Sequence, residues 1–99
     1  MSLPKVLVVD DEEVMRDVLG NVLGGEGYSV RFAATGPAAI ADLKESSADA
    51  VILDLMLPGM SGLEVLEEMK RLDPDLPVLM LTAQASIETA IAAMKKGAF

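Results

Sequence analysis

The sequence predicts an α/β fold, a doubly wound parallel sheet, and two observations predict it. Short apolar runs alternate with longer amphipathic stretches along the whole chain, in the order βαβαβαβα, and most of the runs have no polar side. Strands that lack a polar side are buried on both faces, which requires a parallel sheet with helices packed against each face. Crossovers in such a sheet are right-handed. The 99 residues, 52% hydrophobic and 24% charged, make residues 1–99 one small domain and exclude a disordered chain.

Each element has its own signal. Lys5–Val9 is a strand. Glu12 to about Leu23 is a helix whose wide apolar face carries Val14, Met15, Val18, Leu19, Val22 and Leu23, broken by Gly24, Gly25 and Gly27. Tyr28–Ala33 is a strand with more alternation, which places it near an edge. Thr35-Gly36-Pro37 opens a helix that runs to about Lys44 and turns Ile40 and Leu43 inward. Ala50–Leu53 is a third strand. A loop at Leu57-Pro58-Gly59-Met60-Ser61-Gly62 leads to a helix capped by Ser61, carrying Leu63, Leu66 and Met69 and ended by Asp73-Pro74. Pro77–Leu81 is a fourth strand, and Ser86 caps a last helix with Ile87, Ala90, Ile91 and Met94 on one face, more suited to a core than to a partner. A fourth strand left at an edge would expose an apolar ladder, so at least one further strand and helix are expected beyond Phe99.

Charge and composition narrow the function. A formal net charge of −8 and a pI of about 4.3 repel phosphate backbones and anionic lipid, so direct binding to nucleic acid or to a membrane is not expected. No apolar stretch is long enough to span a bilayer and no signal region opens the chain, which makes the cytoplasm the expected compartment. With neither cysteine nor histidine, disulfides and the usual zinc sites are excluded. A local cluster of carboxylates could still hold a divalent cation.

Ligands of open parallel sheets sit beyond the C-terminal ends of the strands, at the point where the strand order reverses. The polar residues there are Asp10 and Asp11 after the first strand, Asp54 after the third and Thr82 after the fourth. Asp11 followed by Glu12 and Glu13 is also ordinary helix-entry chemistry, a cap with negative charge against the dipole, and both readings of the Asp-Asp pair stand. Asp54 is less easily absorbed, because it interrupts the apolar run Val51-Ile52-Leu53-Asp54-Leu55-Met56-Leu57. Burying even a neutral polar group without a partner costs about 2–7 kcal/mol. Thr82 alone says little. Together they suit a hard cation such as Mg²⁺, which takes oxygen ligands and relieves the mutual repulsion of clustered carboxylates. An aspartate beside such an ion can act as a nucleophile toward a phosphoryl group.

These segments resemble the receiver domains of two-component response regulators. The resemblance is carried by Val6-Leu7-Val8-Val9-Asp10-Asp11-Glu12, by Asp54 through Gly62, by Leu81-Thr82-Ala83 and by Lys95-Lys96-Gly97-Ala98-Phe99, in that order and across the chain. It implies a flavodoxin-like (βα)5 fold with its fifth strand and helix outside these residues. It implies that Asp54 accepts a phosphoryl group from a sensor histidine kinase. Asp11 would ligate Mg²⁺ directly, Asp10 would assist through water, and Met56 would offer its main-chain carbonyl. Thr82 would be the switch hydroxyl, and the backbone N–H of Ala83 would meet the phosphate. Pro58-Gly59 would shape the adjacent loop. A fused output domain for transcriptional regulation, a shift in the Thr82 loop on phosphorylation and a homodimer on activation are further implications. The stretch from Thr82 to Ala90 is similar to receivers of the nitrogen-regulator type, which precede sigma-54-dependent activator domains.

The family's lysine after the fifth strand has no counterpart here, since Lys95 and Lys96 fall on the last helix. The same holds for the aromatic partner of the switch hydroxyl. Two rival functions follow from chemistry. An aspartyl phosphohydrolase with Mg²⁺ would need an acid two residues after its nucleophile, where this chain has Met56. A receiver-like interaction module that does not use phosphate would show no Mg²⁺ affinity. Neither fits as well as a regulatory phosphoacceptor that is not an enzyme.

Overall fold

In a computed structural model that describes residues 3–55, 57 and 59–81, the chain runs β1 (Lys5–Val9), α1 (Glu13–Gly25), β2 (Ser29–Ala33), α2 (Gly36–Glu45), β3 (Ala50–Asp54), α3 (Gly62–Leu72) and β4 (Val78–Leu81). All three strand pairings are parallel, and the sheet order is β2-β1-β3-β4. The doubly wound α/β prediction therefore holds, with β2 at an edge as its alternation indicated. The predicted last helix, with Ser86, Ile87, Ala90, Ile91 and Met94, lies outside the described residues.

Alternate residues of the central strands face two different environments. Leu7 and Val9 of β1 lie beside Val51 and Leu53 of β3, and all four are buried in the core. That core is closed by Val65, Leu66 and Met69 of α3 and Ala39 of α2, with Ile40 and Leu43 packed at its margin as expected. Both helices carry side-chain caps. The Thr35 hydroxyl accepts from the Ala38 N–H and the Ser61 hydroxyl from the Glu64 N–H, each at 3.2 Å. Arg31 of β2 ties down the far end of α2, pairing with Asp42 at 2.7 Å and donating to the carbonyls of Ser46 and Ser47.

The opposite face carries α1, and here three expectations are corrected. The six-residue apolar face does not pack as a unit: Val14, Val18 and Val22 are 73%, 50% and 58% exposed and Met15 is also exposed, leaving only Leu19 and Leu23 half-buried. The helix lies over β1 and β2, and on a single helix positions 14 and 18 point away from any surface that 19 and 23 touch. Second, the helix runs past Leu23 before the glycine segment ends it, its last residue being Gly25. The chain turns over Glu26 and Gly27, with the Tyr28 N–H bonded back to the Leu23 carbonyl at 3.0 Å. Third, β3 and β4 are not buried on both sides. Ile52 is half-buried and Leu79 is 52% exposed, along an apolar groove of about 330 Å³ beside Val6, Leu23 and Pro77. Among the described residues β4 stands at the sheet's edge, next to β3 alone.

Candidate metal centre

The order β2-β1-β3-β4 places the reversal of strand order between β1 and β3, where a crevice opens at the C-terminal ends of the two strands. The register Val9↔Leu53 then sets the next residues, Asp10 and Asp54, side by side. Asp54 is the last residue of β3, paired in register with Leu81 of β4, and is half-buried. Asp10 is 5% exposed and extends the β1–β2 ladder, donating its N–H to the Ala33 carbonyl at 3.1 Å. Asp11 follows at the exposed rim.

The turn into α1 resolves the two readings of the Asp-Asp pair. The N-cap position is Glu12, and it makes no side-chain capping bond. The Glu12 N–H is instead taken up by Oδ1 of Asp10 at 2.9 Å. Asp11 is thus not the cap that its sequence neighbours suggested. Its carboxylate stands with those of Asp10 and Asp54, one oxygen of each lying within 4.8 Å of the others.

Three such charges do not gather without cost. Two unit charges at this 4.8 Å limit repel by about 3 kcal/mol at an effective dielectric near 20. A divalent cation turns that repulsion into attraction. The donors are all hard oxygens, and the chain has no histidine or cysteine to offer a softer ion. The set therefore fits Mg²⁺ or Ca²⁺, which take carboxylate, carbonyl and water oxygens.

The far wall is built by α3. Its first residue, Gly62, donates its N–H to the Leu55 carbonyl at 3.2 Å. A Cβ at Gly62 would sit 2.4 Å from Leu55 Cα and 3.0 Å from the Asp54 carbonyl oxygen, so only glycine lets the helix press against the end of β3. Gly59, at φ +80°, makes the preceding turn in a conformation other residues rarely adopt. Leu55 and Leu57 are buried beneath that turn. The peptide that follows Asp54 is thus held by the start of α3.

Of the residues expected at the site, the structure brings together Asp10, Asp11 and Asp54. Met56, Pro58, Thr82 and Ala83 lie outside the described residues. Two contributors were not singled out from sequence. Arg16 reaches back to donate from Nη1 to the Asp10 carbonyl at 2.8 Å, and Gly62 provides the close approach just described. The available signal for Arg16 was that it is the sole basic residue of its helix.

Known proteins match the chain along almost its whole length. Residues 6–99 match the family model for the response regulator receiver domain. The chain is 45% identical over 92 residues to the transcriptional regulatory protein TcrX of Mycobacterium tuberculosis, covering 93% of this chain and 39% of that protein. It is 43% identical to an NtrX-like response regulator of Rickettsia bellii, over 100% of this chain and 21% of that one. A solved response regulator from Burkholderia pseudomallei, holding a phosphorylated aspartic acid, a calcium ion and citrate, superposes with a TM-score of 0.91 at 37% identity, over 96% of this chain and 56% of that chain. The chain thus spans well under half the length of the two curated relatives.

Proposed function

Because this chain belongs to the response regulator receiver family, we propose that it is the Mg²⁺-dependent phosphoacceptor of a two-component system, with Asp54 taking the phosphoryl group. The observation that carries the proposal is the convergence of Asp10, Asp11 and Asp54 at the β1/β3 crevice. Asp54 supplies the nucleophile from the end of β3, where Gly62 of α3 packs closely against its main chain. A carboxylate oxygen of Asp54 forms the new P–O bond as the P–N bond to the imidazole of a sensor histidine kinase breaks, and the imidazole nitrogen keeps the electron pair. Asp10 and Asp11 would hold the cation, which when bound would supply positive charge against that building up on the phosphoryl oxygens.

Further roles rest on the sequence resemblance: the Met56 carbonyl as a cation ligand, the Thr82 hydroxyl as the switch and the Ala83 N–H as a phosphate donor. The domain acts as a regulator and not as an enzyme with a turnover substrate. No helix among the described residues is long and apolar enough to cross a membrane. A cytoplasmic location is part of the proposal and rests on the family. The output part is a transcriptional regulator, in keeping with TcrX. Its type is open to variation within the family, since the matched stretch is 39% of one relative and 21% of the other.

Incubating the protein with acetyl phosphate, with and without Mg²⁺, and recording the intact mass tests the proposal. A phosphoryl adduct is expected only with Mg²⁺ in the wild type, and none in Asp54→Ala. An adduct that persists in Asp54→Ala would move the acceptor elsewhere. No adduct in the wild type would leave a phosphate-independent interaction module.

A further inference from the structure

We propose that Arg16 is a positioning residue for the cation site, holding the turn that presents Asp10 and Asp11 through its hydrogen bond and not through its charge. The inference rests on the Mg²⁺-binding reading above. It starts from the way this turn is secured. Helix α1 enters without a side-chain cap at Glu12. Three bonds hold the turn instead, and all three converge on Asp10. Its N–H donates to the Ala33 carbonyl, its Oδ1 accepts from the Glu12 N–H, and its carbonyl accepts from Arg16 Nη1 at 2.8 Å in a partly buried setting.

The second of these bonds competes with the site's own task. The Asp10 carboxylate that fastens the Glu12 N–H is also one of the three that would face the cation. A bound cation draws electron density from that carboxylate and weakens its grip on the turn. The Arg16 bond falls on the main-chain carbonyl and does not depend on the carboxylate. Arg16 itself is anchored in the first turn of the helix, its N–H bonded to the Glu12 carbonyl at 3.1 Å. Strand end, turn and helix start are thereby locked around Asp11, which has an exposed side chain and no capping duty to fix it. Groups that orient metal ligands in this way typically change metal affinity by about 10–100-fold when removed.

The charge of the guanidinium acts in the opposite sense. A cation beside a cation site repels the incoming ion, so deleting it should tighten binding if charge were its main contribution. The two roles therefore differ in sign. Mg²⁺ affinity would be measured calorimetrically on the full-length protein without phosphodonor, for the wild type, R16M and R16K, alongside amide exchange at Glu12. R16M is expected to bind Mg²⁺ about tenfold more weakly although it removes a repelling charge. Its Glu12 amide should exchange faster, and R16K, which keeps a donor, should recover most of the affinity. An R16M protein with unchanged or tighter affinity overturns the inference. If R16M does not fold, R16A, which likewise keeps no donor, takes its place and is judged by the same sign. A wild type without Mg²⁺ affinity overturns the functional reading as well, whereas normal wild-type affinity with an indifferent R16M overturns this inference alone.

Discussion

The two faces of the sheet use the same strands and end in opposite states. On one, Leu7, Val9, Val51 and Leu53 are sealed by α2 and α3 into a core with Val65, Leu66, Met69 and Val78. On the other, α1 covers β1 and β2, while Ile52 and Leu79 line an open groove and Val14, Val18 and Val22 face outward. The acidic centre straddles this divide. Asp54 and the peptide after it are clamped by the closed side through Gly62, whereas Asp10 and Asp11 are presented by the turn into α1, on the open side. The difference separates two demands on one site. The proposed nucleophile is held by packing, and its proposed cation ligands are held by a few hydrogen bonds at the entry to a lightly packed helix.

The largest effect should come from the closed face. Leu66 is fully buried, and Leu66→Ala should destabilise the protein by about 2–5 kcal/mol, the usual range for a leucine cavity in a core. Chemical denaturation followed by circular dichroism would measure it, and a loss below about 1 kcal/mol would mean that the core is not closed as described. Next comes Gly62→Ala. The added methyl has nowhere to go but into the backbone at Leu55, so α3 must back away, at a cost of about 1–3 kcal/mol. Because the same movement disturbs the peptide after Asp54, phosphorylation by acetyl phosphate should slow beyond what the lost stability explains. Normal phosphorylation kinetics in a folded Gly62→Ala protein would show that the clamp does not position the acceptor.

Most of this architecture could be foreseen because its signals are local. Apolar runs marked the four strands, Thr35-Gly36-Pro37 and Ser61 marked two helix entries, and the acidic residues fell at strand ends. Asp10, Asp11 and Asp54 were legible as a group because a parallel sheet brings strand ends together wherever the strands lie in sequence. What escaped was relational. Periodicity gave α1 a six-residue apolar face, but periodicity counts residues and not the surface available to receive them. Asp11 looked like a cap because Asp before Glu-Glu usually is one, yet Asp10 reaches the amide first. Arg16 stood out only as the one basic residue of α1 and Gly62 acts through the absence of a side chain, so neither signal named the group it would meet.

The smallest effect tests the comparison most directly. Val18 is half exposed at the middle of α1 and belongs to no buried cluster. Valine and serine have similar helix propensities, so Val18→Ser should change stability by no more than about 0.5 kcal/mol, the range of surface substitutions. The same denaturation experiment as for Leu66→Ala gives the number, and the ratio of the two losses measures how unequal the faces are. A loss above about 1.5 kcal/mol at Val18 would be the signature of a buried valine. The open face would then be covered in solution, and the turn that carries Asp10 and Asp11 would rest on packing as firm as that behind Asp54.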